Sequence, residues 1–213
     1  ADEMLSMGFI EDVESILAAT PAERQTTLFS ATLPPRVREL AEKYLHDPKL
    51  VSIATPQMTV ELVEQRYYVV NEQDKLAVLT RLFEMENISS ALIFTRTRAR
   101  TGDLVNELNM RGYPAEALSG DMSQEARERT MARFRGGQVR VLVATDVAAR
   151  GLDVEGISHV FNFDLPDDPE VFVHRIGRTG RAGRAGVAIS LARPAERGAL
   201  RQIEKFTRQP MTE

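Results

Sequence analysis

Residues 91–95 read Ala-Leu-Ile-Phe-Thr, and residues 139–146 read Val-Arg-Val-Leu-Val-Ala-Thr-Asp. Each stretch contains a short, mainly apolar run that is followed by a threonine. Runs of this kind are typical of strands buried on both faces, as in a parallel sheet covered by helices on either side. Ligands bind such sheets beyond the carboxyl ends of the strands, so the polar residues that follow the two runs are candidate site residues.

The same pattern continues through the last 156 residues of the chain. It predicts strands over 63–70, 91–94, 115–118, 139–144, 160–163 and 187–191, and helices over 75–86, 98–111 and 123–134. Ser123 is a candidate N-cap, and Gly112 a candidate helix stop. Strands that alternate with helices predict an α/β fold, with a parallel sheet and helices on both faces.

The first 57 residues are predicted to form a separate unit. The pattern predicts helices over 12–19 and 36–45 and strands over 26–29 and 50–53. Residues 54–58 are mostly polar, contain Pro56 and show no periodicity, which is typical of a boundary. We therefore divide the chain into residues 1–57 and 58–213.

Composition excludes several classes of protein. With 43% hydrophobic and 27% charged residues, the chain is typical of soluble globular proteins. Disulfides and cysteine-ligated zinc are excluded because there is no cysteine, and the three histidines lack the spacing of metal ligands. No stretch is apolar enough to predict a membrane helix. We expect a cytoplasmic protein without a metal site or a membrane partner, and the composition assigns no oligomeric state.

The charge is uneven along the chain. A net charge of -4 and a pI of about 5.6 argue against a generic basic nucleic-acid binder. Residues 171–213, however, hold nine basic and three acidic residues. A site for a polyanion must therefore be a local patch.

Residues 174–181 read His-Arg-Ile-Gly-Arg-Thr-Gly-Arg. Arginine is always charged, and its fork of donors matches phosphate oxygens. Arginines delivered across an interface can neutralise the charge that develops on a transferring phosphoryl group. This segment is therefore interpreted as half of a nucleotide site, and the alternative is a solvated basic turn.

Two further motifs follow predicted strands. In residues 145–153, Thr145 offers a hydroxyl and an N–H to a phosphate, Gly151 allows close backbone approach, and Asp153 could accept from a ribose hydroxyl. The alternative is an N-cap at Asp146 with a surface pair at Arg150.

Residues 120–127 lead into a helix whose N-terminus favours anions. Gln124 and Arg127 share a face of that helix, although a capped helix with ordinary surface residues explains them equally well. Thr95-Arg96 alone is a weak signal, because a charged helix start is the default there.

The motifs occur in a fixed order: Ser30-Ala31-Thr32, Ile93-Phe94-Thr95, Gly120-Asp121 with Gln124 and Arg127, Ala144 to Asp153, and His174 to Arg181. In this order they resemble the DEAD-box RNA helicases of superfamily 2 over almost the whole chain. Ala1-Asp2 is similar to the end of the family's Asp-Glu-Ala-Asp signature. One departure is Ser119, where the family usually has histidine, which puts any role of that ring in doubt.

The resemblance implies two RecA-like domains that close around ATP and single-stranded RNA. Residues 1–57 would be the tail of the first (helicase ATP-binding) domain, and residues 58–213 the second (helicase C-terminal) domain. ATP with Mg²⁺ would be held mainly by the N-terminal portion. The partners would be RNA, ATP and the N-terminal RecA-like domain.

The resemblance also implies roles for individual residues. Arg178 and Arg181 would be arginine fingers, His174 would couple to the acidic signature, and Asp2 would bond Ser30 and Thr32 to link hydrolysis with domain closure. Gly151 and Asp153 would meet the nucleotide. The RNA contacts would be Thr95, Arg96, Gly120, Asp121, Arg127 and Thr145.

These roles imply ATP-driven closure that bends one RNA strand and separates a short duplex, with hydrolysis resetting the open state. The chain contains no Gly-x-x-x-x-Gly-Lys-Ser/Thr sequence, so it is expected to be inactive as an ATPase by itself. Two alternatives stay open: a DNA-directed helicase of the same superfamily, and a non-catalytic RNA-binding or dimerisation module.

Overall fold

The computed structural model describes residues 4, 8–30, 33, 35–52, 62–149, 152, 156–181 and 183–213. It divides the chain into two compact units, residues 1–54 and 55–213. The segment in which we expect a boundary, residues 54–58, lies outside the described residues.

The first unit contains helix α1 (Ile10–Ala19) and helix α2 (Pro35–Tyr44). Val37 and Leu40 on α2 are buried, and Ile10, Val13 and Leu28 pack against them. Both helix predictions are confirmed. The strand predictions are wrong, because neither residues 26–29 nor residues 50–52 form a strand. A strand needs a neighbour for its backbone hydrogen bonds, and the described part of this unit offers none.

The second unit alternates strands and helices. Its strands are β1 (Val63–Val69), β2 (Ala91–Phe94), β3 (Ala115–Leu118), β4 (Val141–Ala144), β5 (His159–Asn162) and β6 (Gly186–Ala192). Its helices are α3 (Lys75–Met85), α4 (Arg98–Met110), α5 (Gln124–Arg135), α6 (Asp146–Ala149), α7 (Pro169–Ile176) and α8 (Arg197–Thr207). The predicted strands and helices of this unit are all present to within two residues. Helices α7 and α8 were not predicted.

The strands form one parallel sheet in the order β1-β6-β5-β2-β4-β3. Parallel neighbours need a crossover connection, and here helices supply most of these. The register aligns Phe94 of β2 with Ala144 of β4, and Ala144 with Leu118 of β3. The carboxyl ends of these three strands therefore lie side by side.

The core lies on both faces of the sheet because neighbouring residues of each strand point to opposite sides. In β2, Ala91 and Ile93 belong to a cluster with residues of α3 and α4. Leu92 and Phe94 belong to a second cluster with residues of α5 and α6. This explains why the sequence of β2 is apolar throughout, and it confirms the α/β prediction.

Local signals set the helix ends. Ser123 accepts a hydrogen bond from the Ala126 N–H at 3.2 Å, so its predicted role as N-cap of α5 is confirmed. Thr97 caps α4 in the same way through the Arg100 N–H. Gly112, with φ +82°, ends the turn after α4, where a residue with a side chain would be strained.

Candidate functional site

Polar segments meet at the carboxyl edge of β2, β4 and β3, which are neighbours in the sheet. The Thr95 N–H donates to the Ala144 carbonyl at 3.0 Å, which ties the end of β2 to the end of β4. Arg98, at the start of α4, lies 3.5 Å from the Asp121 carboxylate in the segment after β3. The sheet order therefore brings together motifs that are up to 50 residues apart in the sequence.

Thr95 and Arg96 have different environments. Thr95 is fully buried, and its hydroxyl is 2.6 Å from that of Thr101. In this conformation its side chain does not reach the surface. The Arg96 side chain is 47% exposed, and its backbone N–H donates to the Asp164 carboxylate at 2.8 Å. Because Thr95 is buried, it anchors the start of the loop from which the Arg96 side chain projects.

Gly120 and Asp121 are exposed in the segment that leads into α5. Arg127, one turn into α5, is half-buried, and its guanidinium donates to the Ala148 carbonyl at 2.8 Å. This bond joins α5 to α6. The exposed N–H groups at the start of α5 form a surface that favours an anion.

Thr145 links β4 to α6. It is half-buried, and its hydroxyl accepts from the Ala148 N–H at 3.4 Å, so it acts as the cap of this short helix. The next residue, Asp146, is engaged by a distant arginine, Arg175. The alternative of an N-cap at Asp146 is therefore wrong by one residue.

Arg175 holds the site together, and the sequence analysis assigned it no role. Its side chain is only 3% exposed, and its guanidinium grips the Asp146 carboxylate with Nε–Oδ1 at 2.6 Å and Nη2–Oδ2 at 2.9 Å. It also donates to the Asn162 amide oxygen and the Asp164 carbonyl, and it lies over the Phe94 ring at 5.0 Å. Arg175 therefore joins α7 to the segments after β2, β4 and β5.

A signal for Arg175 was present in the sequence. Phe172, Arg175, Ile176 and Thr179 follow the i, i+3, i+4, i+7 spacing of one helix face, and all four are buried. An arginine on an otherwise apolar face needs a buried partner, which predicts an ion pair.

The arginine segment continues from the end of α7. Arg178 is half-buried and donates to the Leu152 carbonyl at 3.1 Å. Arg181 is exposed, its Nε donates to the Gly177 carbonyl at 2.6 Å, and it has no ion-pair partner among the described residues. His174 is also exposed. The three predicted groups thus lie on one short segment, and Arg181 and His174 face solvent.

Thr179 and Gly180 anchor this segment between the arginines. Thr179 is buried, and its hydroxyl donates to the Ile157 carbonyl at 2.5 Å. Gly180 has φ +66°, and a Cβ there would lie 2.6 Å from Cγ2 of Val63. Both contacts fix the backbone from which Arg178 and Arg181 project.

An ionic network surrounds Arg96. Lys75 is buried and lies 3.2 Å from the Asp164 carboxylate. The Arg96 guanidinium lies 3.8 Å from Glu196, which receives a hydrogen bond from Arg193 at 2.7 Å. Burial acts to raise the pKa of Glu196, but the hydrogen bonds from Arg193 outweigh it and lower the pKa below its ordinary value. Glu196 is therefore ionised at neutral pH.

Four of the predicted site residues, Asp2, Thr32, Gly151 and Asp153, lie outside the described residues. Ser30 is half-buried in the first unit. Within the described ranges, no three histidine, aspartate or glutamate side chains are grouped so that they could hold a metal ion. None of the helices described is both long and apolar enough to cross a membrane.

Comparison with known proteins gives matches over the whole chain. The family described as helicase conserved C-terminal domain matches residues 74–183, and the DEAD/DEAH box helicase family matches residues 1–40. The DEAD-box ATP-dependent RNA helicase CshA of Geobacillus kaustophilus is 51% identical over 99% of this chain and 45% of the relative. CshA of Bacillus subtilis is 49% identical, with 43% of the relative covered. The chain thus spans less than half the length of these relatives.

Solved structures agree with this. Saccharomyces cerevisiae Dbp5 bound to RNA and ADP BeF3 matches with a TM-score of 0.83 and 36% identity, over 95% of this chain and 54% of that one. A DEAD box protein from Methanococcus jannaschii matches with a TM-score of 0.67 and 41% identity, over 99% of this chain and 57% of that one. The predicted RecA-like sheet is confirmed, and the chain belongs to the DEAD-box ATP-dependent RNA helicase family, of which it carries the conserved C-terminal domain.

Proposed function

We propose that this chain is part of an ATP-dependent RNA helicase in which residues 58–213 form the second RecA-like domain and residues 1–57 the tail of the first. The match of residues 1–40 to the DEAD/DEAH box family supports this division. The single observation that carries the proposal is the arginine segment. Exposed Arg181 and half-buried Arg178 project from a backbone anchored by Thr179, on a domain without a phosphate-binding loop.

The residues present fit a triphosphate that is held on another domain. The segment offers two guanidiniums and an imidazole, and Arg178 reaches the Leu152 carbonyl, which flanks the expected nucleotide contacts Gly151 and Asp153. ATP supplies the phosphoryl group that is transferred to water. We place Mg²⁺ with the phosphate-binding residues of the first domain.

In this mechanism the arginines act when the domains close. Arg178 and Arg181 neutralise charge on the phosphoryl group, and removing such a group costs roughly a thousandfold or more in rate. His174 couples this segment to the acidic signature that ends at Asp2. After hydrolysis, release of the phosphate removes the negative charge that held the arginines, which allows the domains to open.

RNA lies across the carboxyl edge of β2, β4 and β3 in this proposal. The N–H groups at Gly120 and Asp121 and the start of α5 hold phosphates, while Thr145, Arg127 and Arg96 fix the path of the strand. Thr95 contributes by anchoring the loop, because its own side chain is buried. Contacts to the backbone alone make the binding sequence-tolerant and salt-dependent. That Dbp5, a structural neighbour of this chain, was solved bound to RNA supports RNA as the ligand.

The test uses the protein with both helicase domains. We expect Arg181→Ala to lower RNA-stimulated ATP hydrolysis by about a thousandfold or more while RNA binding in the presence of an ATP analogue stays within about twofold. Arg181→Lys should not restore the rate, since lysine lacks the planar fork. Arg184→Ala, which removes an exposed arginine three residues on, is the matched control.

A wild-type rate in Arg181→Ala would overturn the assignment of this residue. DNA of the same sequence serves as the second ligand. Equal stimulation by DNA and RNA would favour the DNA-directed alternative.

A further inference from the structure

Helix α8 carries four cations on one face. Arg197, Arg201 and Lys205 follow one another at intervals of four residues, and Arg208 is the C-cap. All four are exposed. At about 100° and 1.5 Å per residue, the three cations within the helix fall in a sector about 80° wide and extend about 12 Å along the axis. Arg208, with φ +54°, follows directly at the end of the helix. We call these four residues the α8 basic stripe.

The stripe lacks acidic partners. Arg201, Lys205 and Arg208 have no ion pair with any part of the chain that the structure describes, and Arg197 has only a loose one, at 3.7 Å from the exposed Glu213.

Some exposed cations on other helices are paired more closely. Lys43 on α2 lies 2.7 Å from Glu14, and Arg81 on α3 lies 2.7 Å from Glu84. Others are not, since Arg129 on α5 lies 3.9 Å from Glu125. What distinguishes the α8 basic stripe is that four neighbouring cations share one helix and none has a close acidic partner within the described residues.

Helix stability does not explain the stripe. The helix dipole favours Lys205 and Arg208 near the C-terminus, but it disfavours Arg197, the first residue of the helix. Like charges four residues apart, as in the pairs Arg197–Arg201 and Arg201–Lys205, destabilise a helix. The arrangement thus weakens the helix unless an anion covers it.

The opposite face holds the helix in place. Leu200 and Ile203 are buried against residues of β1, β6 and α7. Because α8 is fixed in this way, the direction of the stripe is set by the fold before any ligand binds.

The stripe begins beside the proposed RNA surface. Glu196 immediately precedes Arg197 and lies 3.8 Å from the guanidinium of Arg96. Glu196 is itself neutralised by Arg193. An RNA strand that leaves the carboxyl edge of the sheet at Arg96 would therefore pass Glu196, whose charge is paired, and then reach the α8 basic stripe.

We propose that the α8 basic stripe binds the phosphate backbone of single-stranded RNA that extends beyond the motif site on the Arg96 side. This rests on the proposed function, and it adds a second contact region to the RNA footprint. Arginine and lysine contacts to phosphate position a strand without reading its sequence. RNA is favoured over an acidic protein because the 80° sector holds only charged residues, whereas protein interfaces have an apolar centre.

The test replaces two of the cations by glutamine, a good helix former, in the protein with both helicase domains. The R201Q/K205Q variant is titrated with single-stranded RNAs of about six and about twenty nucleotides in the presence of an ATP analogue. We expect unchanged affinity for the short RNA and three- to tenfold weaker binding of the long one. For the long RNA, the plot of log affinity against log salt concentration should become less steep by about 1.4, because two phosphate contacts are lost.

The matched control is R111Q/R140Q. Like R201Q/K205Q, it removes two positive charges, here from exposed arginines at the amino edge of the sheet. It should leave the affinities for the short and the long RNA unchanged. Thermal unfolding followed by circular dichroism verifies that each variant is folded.

Each other outcome overturns the proposal. These outcomes are unchanged binding of the long RNA by R201Q/K205Q, equal weakening for short and long RNA, and equal weakening by the control. Loss of polyglutamate binding with RNA binding unchanged would assign the stripe to an acidic protein. If the unmodified protein binds neither RNA, the proposed function itself fails.

Discussion

Arg175 determines how the site is held together. Its guanidinium is buried, and four acceptor oxygens from Asp146, Asn162 and Asp164 surround it. A buried charge is stable only when such partners are present. Its neighbours Arg178 and Arg181, with the same side chain, point to the Leu152 carbonyl and to solvent. Three arginines of one motif thus have one structural and two proposed catalytic roles.

We predict that Asp146→Ala lowers the free energy of unfolding by about 3 kcal/mol, because it leaves the buried guanidinium of Arg175 without a counter-charge. The double variant D146A/R175M should lose less free energy of unfolding than the two single variants lose in sum, since no unbalanced charge is left. Urea unfolding of the chain at neutral pH measures all three. Additive costs would contradict the role given to this ion pair.

His159 predicts a pH dependence of stability. It is buried, its Nε2 has no hydrogen-bond partner among the described residues, and burial lowers its pKa below the ordinary value of 6.5. Below about pH 6.5 the unfolded chain binds a proton that the folded chain resists, so stability falls as pH decreases through this window.

We expect His159→Gln to reduce the loss of unfolding free energy between about pH 7 and pH 5.5, measured by urea unfolding. His46→Gln removes an exposed imidazole and should leave the pH dependence of the second unit as it is. The same pH slope in H159Q and the unmodified chain would show that His159 is not the titrating group.

At the scale of elements, the segment after α7 is a rigid support. Thr179 forms a bridge to Ile157 beside β5, and Gly180 packs against Val63 of β1. The segment is therefore tied to two strands of the sheet. Short, anchored connections of this kind keep side chains in a fixed geometry, as the proposed role of Arg178 and Arg181 in phosphoryl transfer requires.

Gly180→Ala is expected to destabilise the second unit by about 3 kcal/mol, since it adds a methyl group in contact with Val63 to an unfavourable positive φ. Gly183→Ala provides the control. Gly183 has φ +76° but open space around it, so only the backbone cost of about 1 kcal/mol applies. Urea unfolding measures the loss of unfolding free energy in both variants. Equal losses would mean that the contact with Val63 is absent.

At the scale of the whole molecule, the chain carries one half of the proposed site, which two domains share. The proposed arginine fingers lie in the second unit, whereas no phosphate-binding loop sequence occurs in the chain. In the proposed function, closure between the domains controls both hydrolysis and RNA binding, because each site is completed only when the two halves meet.

We predict that the purified chain of 213 residues hydrolyses ATP no faster than a sample without protein. Its activity should require covalent connection to the upstream part of the first domain. A coupled phosphate-release assay with and without RNA measures this, with the protein that has both domains as the positive control. RNA-stimulated hydrolysis by the chain alone would contradict the division of the site.

The sequence by itself determined the parallel α/β unit, the N-cap Ser123 and the edge at which the motifs gather, because these depend on local periodicity and on short spacings. The helices α7 and α8 were missed, although the spacing of Phe172, Arg175 and Ile176 is helical. The burial of Thr95 and the partners of Arg175 were decided only by the tertiary structure. Strands predicted at 26–29 and 50–53 failed for the same reason, since a strand exists only with a neighbour. Burial and pairing depend on residues distant in the chain, which local patterns do not record.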